Sequence, residues 1–230
     1  MHKIHLPDWA VERGRNLNDF PTIDPARTAL VAIDMQNVFM EPDEVFGNPN
    51  TLDIIETVNL AVRTLRDAGA RIIWTRQTVS HEAPLAMPPW QYDLSIPSVR
   101  TAVETMIAGT RSHAIHTAMD VRDSDIVVDK YRYSAFMCPA GGLKNMLNQM
   151  DVDTLVIAGT LTNCCCESTA RDGNMMGYKI VFLSDATSAN TDEEHNAALL
   201  NIRLLFGDVR RTGDLPAMIA PTTEVAKVPR

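Results

Sequence analysis

What is scarce in this sequence narrows its function first. Only four cysteines occur in 230 residues, and three of them are contiguous, Cys164, Cys165 and Cys166, with Cys138 apart. Contiguous cysteines cannot staple distant loops, and no C-x-x-C pair is present, so a secreted disulfide framework and a thioredoxin-type redox motif are both set aside. Long hydrophobic runs are missing too. Segments such as "TLVIAGTL" fall far short of the roughly 20 residues that cross a bilayer. The start "MHKIHLPDWAVERGRN" has no continuous apolar signal region. Positive charge is in deficit, with 21 Lys and Arg against 29 Asp and Glu and a formal charge of −8. Nucleic-acid backbones and anionic membranes select basic surfaces, so neither is expected as a partner. A cytoplasmic protein acting on a small molecule is the expectation.

What is present points to one large domain. A hydrophobic fraction of 45% over this length can bury a substantial core. "TALVAIDM" (28–35) is a short apolar run of the buried-strand type that ends on Asp34. "TLDIIETVNLAVRTLRDAGA" (51–70) places Leu52, Ile55, Val58, Leu60, Val62 and Leu65 at helical spacing, with Gly69 as a stop. The alternation continues through a strand at 71–77, a strand at 125–130, a short helix at 141–150 and a strand at 153–159. A helix opening at Cys164, the strand "KIVFLSDA" and the helix "DEEHNAALLNIRLLFG" complete it. Strands separated by helices require right-handed crossovers, which predicts a three-layer α/β/α fold around a mostly parallel sheet.

In such sheets the ligand site gathers at the carboxyl ends of the strands. Asp34, Arg76, Lys130 and the cysteine triplet all fall at strand ends. The proline-rich segment 80–98 reads as a loop able to cover that edge, with Trp90 and Tyr92 facing a substrate.

A thiol becomes a nucleophile when its pKa falls, as at a helix N-terminus beside a cation. Successive helical residues point about 100° apart, so one cysteine of the three at most can face the site. Thr162 or Asn163 is expected to cap this helix, leaving first-turn N–H groups free to hold an oxyanion. A lysine and an aspartate at the same place suit anion stabilisation and proton transfer, jobs that fit Lys130 and Asp34.

Three stretches, "ALVAIDMQNVFM", "DIVVDKYRYSAF" and "VIAGTLTNCCCESTARDGNMMGYKIVFLSDA", resemble the isochorismatase-like cysteine hydrolases. That family includes nicotinamidases, N-carbamoylsarcosine amidase, ureidoacrylate amidohydrolase and streptothricin hydrolase. The resemblance runs over residues 25 to 212, leaving 1–24 as an N-terminal extension and 213–230 as a C-terminal tail. The family's nucleophile segment, G-x-x-T-N-x-C-x-x-x-T-A-x-D, laid on Gly159, Thr162, Asn163, Thr169, Ala170 and Asp172, selects Cys165. Cys164 and Cys166 are then expected to be small buried hydrophobes. The resemblance further implies a cis peptide between Thr160 and Leu161, and an oxyanion hole built from the backbone N–H groups of Leu161 and Cys165.

The function implied is hydrolysis of a C–N bond in a small carboxamide, ureide or lactam through a Cys165 thioester, with Asp34 as general acid and base and Lys130 as the third member. No cofactor is expected. A homodimer or homotetramer is expected, as is usual for the family. Further substrate-binding candidates are Gln36, Arg76, Trp90, Tyr92, Tyr133 and Phe136, although a structural role suits Gln36 and Arg76 better. Nicotinamidases of the family hold a metal through an Asp-x-His pair and a second histidine. That pair is missing here, and His113 and His116, which would share a helix face at i, i+3, complete no ligand set. No metal site is therefore expected. Two alternatives stand beside the amidohydrolase: a thiol redox or electrophile-sensing protein, and a vinyl-ether hydrolase of the isochorismate type, although members of that type lack the cysteine.

Overall fold

The computed structural model describes residues 1–219. Its strands are β1 (Thr28–Ile33), β2 (Arg71–Gln77), β3 (Ile126–Lys130), β4 (Thr154–Thr160), β5 (Lys179–Ser188) and β6 (Asp208–Arg210). They form one sheet in the order β3-β2-β1-β4-β5-β6, parallel throughout. The chain builds outward from β1 in one direction and from β4 in the other. Their junction is therefore the topological switch point, where a crevice opens beyond the carboxyl ends of the strands.

Strand alternation sends side chains to two cores. In β1, Leu30 and Ala32 join one face with Trp74, Val156 and Val181, while Ala29, Val31 and Ile33 join the other with Leu155, Ile157 and Phe182. Every residue of β1 and β4 is buried, which is why both read as continuous apolar runs rather than alternating ones. The described helices are α1 (Asp8–Gly14), α2 (Asn37–Met40), α3 (Pro49–Asp53), α4 (Ile55–Asp67), α5 (Pro97–Glu104), α6 (Gly142–Gln149), α7 (Glu167–Met175), α8 (Asp192–Asn201) and α9 (Leu215–Ile219). Through Val58, Ala61, Val62 and Leu65, α4 covers the first face, and Leu143, Ala170 and Leu199 of α6, α7 and α8 cover the second. The three-layer α/β/α expectation holds.

Several local expectations are corrected. The helix expected over 51–70 is broken into α3 and α4 at Ile54, and Leu60 is exposed because it lies off the stripe set by Val58, Val62 and Leu65. Residues 213–219, expected within a tail, carry Leu215 and Met218 into the first core; the remainder of that tail, 220–230, lies outside the described residues. The N-terminal segment is tied to the domain as well. Arg203 donates to the carbonyls of Val11 and Asn18, and His2 sits buried against α8, bonded to Asp192.

Candidate active site

Lys130 closes β3 and is wholly buried. A buried ammonium must be surrounded by acceptors, since desolvation without partners would neutralise it. Its Nζ lies 2.7 Å from Asp34 Oδ2, donates to Gln77 Oε1 at 2.6 Å and to the Arg132 carbonyl at 3.1 Å, and reaches Cys165 Sγ at 3.4 Å. Burial alone would lower this amine, yet the Asp34 charge, with Cys165 and the hydrogen bonds behind it, holds Lys130 above its ordinary value.

Asp34 follows β1 with φ +52°, in the left-handed region that aspartate tolerates better than most side chains. The turn is held by its N–H, which donates to the Thr75 carbonyl at 3.2 Å, and by Thr75 Oγ1, which donates to Asp34 Oδ1 at 2.8 Å. That leaves Oδ2 in ionic contact with Lys130 and without a directed hydrogen bond among the described residues. Beside it, Gly159 has φ +113°, and a Cβ there would stand 2.1 Å from the Ile33 carbonyl oxygen, so the approach of β4 to β1 at the site requires glycine.

The triplet follows β4 across the Thr160–Leu161 peptide, which is cis. Thr162–Cys166 forms a single π-helical turn that leads into α7. Its N-cap is Leu161, with no side-chain cap, in place of the expected Thr162 or Asn163. The Thr162 hydroxyl is already bonded to His195 Nδ1 at 2.8 Å. The Leu161 carbonyl accepts from Cys164 and Cys166, at 3.2 and 3.1 Å.

Each sulfur has its own surroundings. Cys166 is fully buried in the second core, and burial pushes its thiol well up. Cys164 departs from the expected buried hydrophobe: it is partly exposed and lines the cavity. The hydrogen bond between the two thiols draws Cys164 down and, with burial, pushes Cys165 up, against the pull of Lys130.

These groups open onto a cavity of about 260 Å³. Asp34, Cys165, Leu161, Tyr92 and Tyr133 are among the residues that line it. Other candidates are elsewhere. Trp90 is 83% exposed and does not line the cavity, so the loop 80–98 reaches it through Tyr92 alone. Phe136 is buried in the second core, stacked on Tyr178 at 5.7 Å. Arg76 pairs with Asp129 at 2.7 Å, because alternation along β2 turns it away from the face that Gln77 presents to the site. Gln36 is a buried clasp whose Nε2 donates to the carbonyls of Gln77 and His113 and whose Oε1 accepts from the Gln77 N–H.

Sequence reasoning missed Gln77, Thr160, Asn190 and the apolar wall of Phe39, Val45 and Phe46. Register offered a signal for Gln77, which pairs with Lys130 across β2 and β3. Phe39 and Phe46 arrive through α2 and the turn after it, where no period marks them. His113 and His116 do not share a helix face: residues 113–116 are not helical, and His113 is buried and bonded to Thr78 at 2.8 Å. Among the described residues, no three His, Cys, Asp or Glu side chains gather as a set that could hold a metal ion.

Comparison with known proteins now settles the lineage. Residues 28–214, most of the chain, match the Isochorismatase domain. The chain belongs to the isochorismatase family. Among its relatives, the ureidoacrylate amidohydrolase of Methylobacterium radiotolerans is 32% identical over 200 residues, covering 80% of this chain and 76% of that protein. The ureidoacrylate amidohydrolase of Pseudomonas savastanoi pv. phaseolicola is 30% identical over 234 residues, covering 95% and 94%. A solved cysteine hydrolase from Pseudomonas syringae pv. phaseolicola superposes with a TM-score of 0.76 at 28% identity, over 88% of this chain and 96% of that one. In this isochorismatase-family chain, then, the cluster of Asp34, Lys130 and Cys165 lies at the switch point of the family's parallel sheet.

Proposed function

We propose that the chain hydrolyses a C–N bond in a small carboxamide, ureide or lactam, with Cys165 as nucleophile and Asp34 as general acid and base. One observation carries this reading: the buried Lys130 Nζ touches both Asp34 Oδ2, at 2.7 Å, and Cys165 Sγ, at 3.4 Å. The amidohydrolase names of the relatives support hydrolysis of an amide or ureide.

In the first half, Asp34 takes the Cys165 thiol proton and the thiolate attacks the substrate carbonyl carbon. The oxyanion so formed is held by the N–H groups of Leu161 and Cys165, each of the kind worth about 3 kcal/mol to a transition state. The C–N bond breaks as Asp34 gives the proton to the departing nitrogen, leaving a thioester. In the second half, water loses a proton to Asp34 and attacks the thioester. The acid leaves, and the proton returns to sulfur. Lys130 keeps its charge throughout and steadies both the carboxylate and the thiolate.

The test is ammonia release from a panel of amides and ureides, with ring opening followed for lactams. Cys165→Ser is expected to abolish turnover, while Cys164→Ser and Cys166→Ser retain much of it. An active Cys165→Ser protein would overturn the assignment. The partly exposed Cys164 beside Cys165 favours a second reading, thiol-based sensing of electrophiles. That reading requires modification by an electrophile at Cys164 without any Cys165-dependent turnover. We further propose a homodimer or homotetramer, for which exposed Trp9, Leu17, Met175 and Leu205 offer apolar surface; a monomer in light scattering would refute it.

A further inference from the structure

We infer that the substrate is an uncharged amide with an aromatic or aliphatic body, and that the cavity rejects amides bearing a carboxylate. The inference rests on the hydrolase reading above and narrows it. The relatives are named for a ureide that itself carries an acrylate carboxylate. No cation among the described residues lines the cavity of this chain to meet such a group.

The cavity has two sides. One is apolar, built from Phe39, Val45, Phe46 and Tyr92, with Phe46 5.5 Å from Tyr92 and 6.4 Å from Phe39 between ring centres. The other carries the reacting groups, Asp34 and Cys165, with Gln77 and Asn190 as neutral polar neighbours. No Arg, Lys or His is among the described residues that line it.

The side chains of the cations nearby are held by other partners, carboxylates for some and backbone carbonyls for Arg132. Lys130 is fully buried on Asp34, Gln77 and the Arg132 carbonyl. Arg76 is paired with Asp129, and Arg111 with Glu41. Arg132 donates to the carbonyls of Pro84, Leu85 and Tyr131. The turn that supplies Val45 and Phe46 adds Glu41, Asp43 and Glu44 and no basic residue. A substrate carboxylate would therefore enter a cavity beside Asp34 and give up water there without a cation on the wall to pair with.

The polar side holds an unused donor that carries no charge. An ammonium only donates, so Gln77 must turn Oε1 toward Lys130, which fixes Nε2 as its other end. That Nε2 is buried and has no partner among the described residues, on a side chain that lines the cavity. A carbonyl oxygen of an amide or urea would satisfy it.

The experiment uses matched pairs, benzamide against 4-carbamoylbenzoate and hexanamide against adipic acid monoamide. Calorimetric titration of the Cys165→Ser protein reads binding without turnover. Each neutral member is expected to bind at least ~10-fold more tightly than its acid partner. An equal or reversed order, or no binding of either neutral amide at about 10 mM, overturns the inference. Val45→Arg, which places a cation at a half-exposed position of the wall, should strengthen binding of the acids by ~10-fold; no gain would count against it. Ammonia release by the unsubstituted protein is read separately. The expected binding order without any Cys165-dependent release would sink the hydrolase reading and leave the cavity preference standing. Release from the carboxylate-bearing members alone would do the reverse.

Discussion

Gln77 and Lys130 stand opposite each other in register on β2 and β3, and Gln77 Oε1 accepts a 2.6 Å bond from Lys130 Nζ. The amide thereby aims the ammonium between Asp34 and Cys165. Gln77→Leu removes an acceptor from a buried charge, a loss of about 1.5–3 kcal/mol in stability. Turnover should fall by ~10²-fold as Lys130 loses its aim. Urea unfolding and ammonia release check the two effects. Wild-type turnover in a destabilised Gln77→Leu protein would show that this bond serves the fold alone.

The Asp34–Lys130 contact is a buried ion pair with both side chains at 1% exposure or less. Removing one partner strands the other, so Lys130→Met is expected to cost about 3–5 kcal/mol. Replacing both at once removes the stranded charge. The double variant Asp34→Leu/Lys130→Met should thus regain most of that loss in chemical denaturation while showing no turnover. A double variant as unstable as the sum of the two single ones would mean that the pair is not energetically coupled.

The parallel sheet was legible because β1 and β4 are buried on both faces and so write unbroken apolar runs, "TALVAI" and "TLVIAGT". Asp34 was legible because it falls at the end of such a run, and Lys130 because it closes the shorter, partly exposed strand β3. The cavity wall was not. Phe39, Val45 and Phe46 lie in a four-residue helix and the turn beyond it, too short for a hydrophobic period to emerge. Arg76 takes the structural role favoured for it rather than the substrate-binding one, since alternation turns it onto Asp129; one residue further along, Gln77 faces the cavity. Phe136 was misplaced because nearness in sequence to Lys130 says nothing about direction, and its ring turns into the core against Gly173.

Gly159 tests whether the β1–β4 junction tolerates any side chain. Its φ of +113° strains an L-residue, and the built Cβ meets backbone rather than a movable side chain, at 2.1 Å from the Ile33 oxygen. Gly159→Ala should therefore cost more than the ~1–2 kcal/mol of left-handed strain alone. It should also displace Asp34, which follows Ile33 directly, and lower turnover even where the protein stays folded. Urea unfolding together with the activity of the folded fraction checks both. A cost below ~1 kcal/mol would contradict the close approach.

His195 ties stability to pH behind the nucleophile turn. Its Nε2 faces the Ser184 carbonyl at 3.1 Å and so carries the proton, leaving Nδ1 to accept from the Thr162 hydroxyl at 2.8 Å. The ring is fully buried and stacked on His2 at 4.4 Å. Burial first, and the neighbouring His2 second, push its pKa down to about 4, with the Ser184 carbonyl and Asp192 opposing. The folded pKa lies below the ordinary unfolded value near 6.5, so the unfolded chain binds a proton that the folded chain refuses. The contribution of His195 is thus complete above about pH 6.5 and is lost as pH falls toward about 4. The slope is at most ~1.4 kcal/mol per pH unit. His195→Gln should flatten that part of the stability profile, measured by urea unfolding between pH 7 and pH 5. A profile as steep in His195→Gln as in wild type would assign the slope to other groups, with His113, also buried and held low, the first to test.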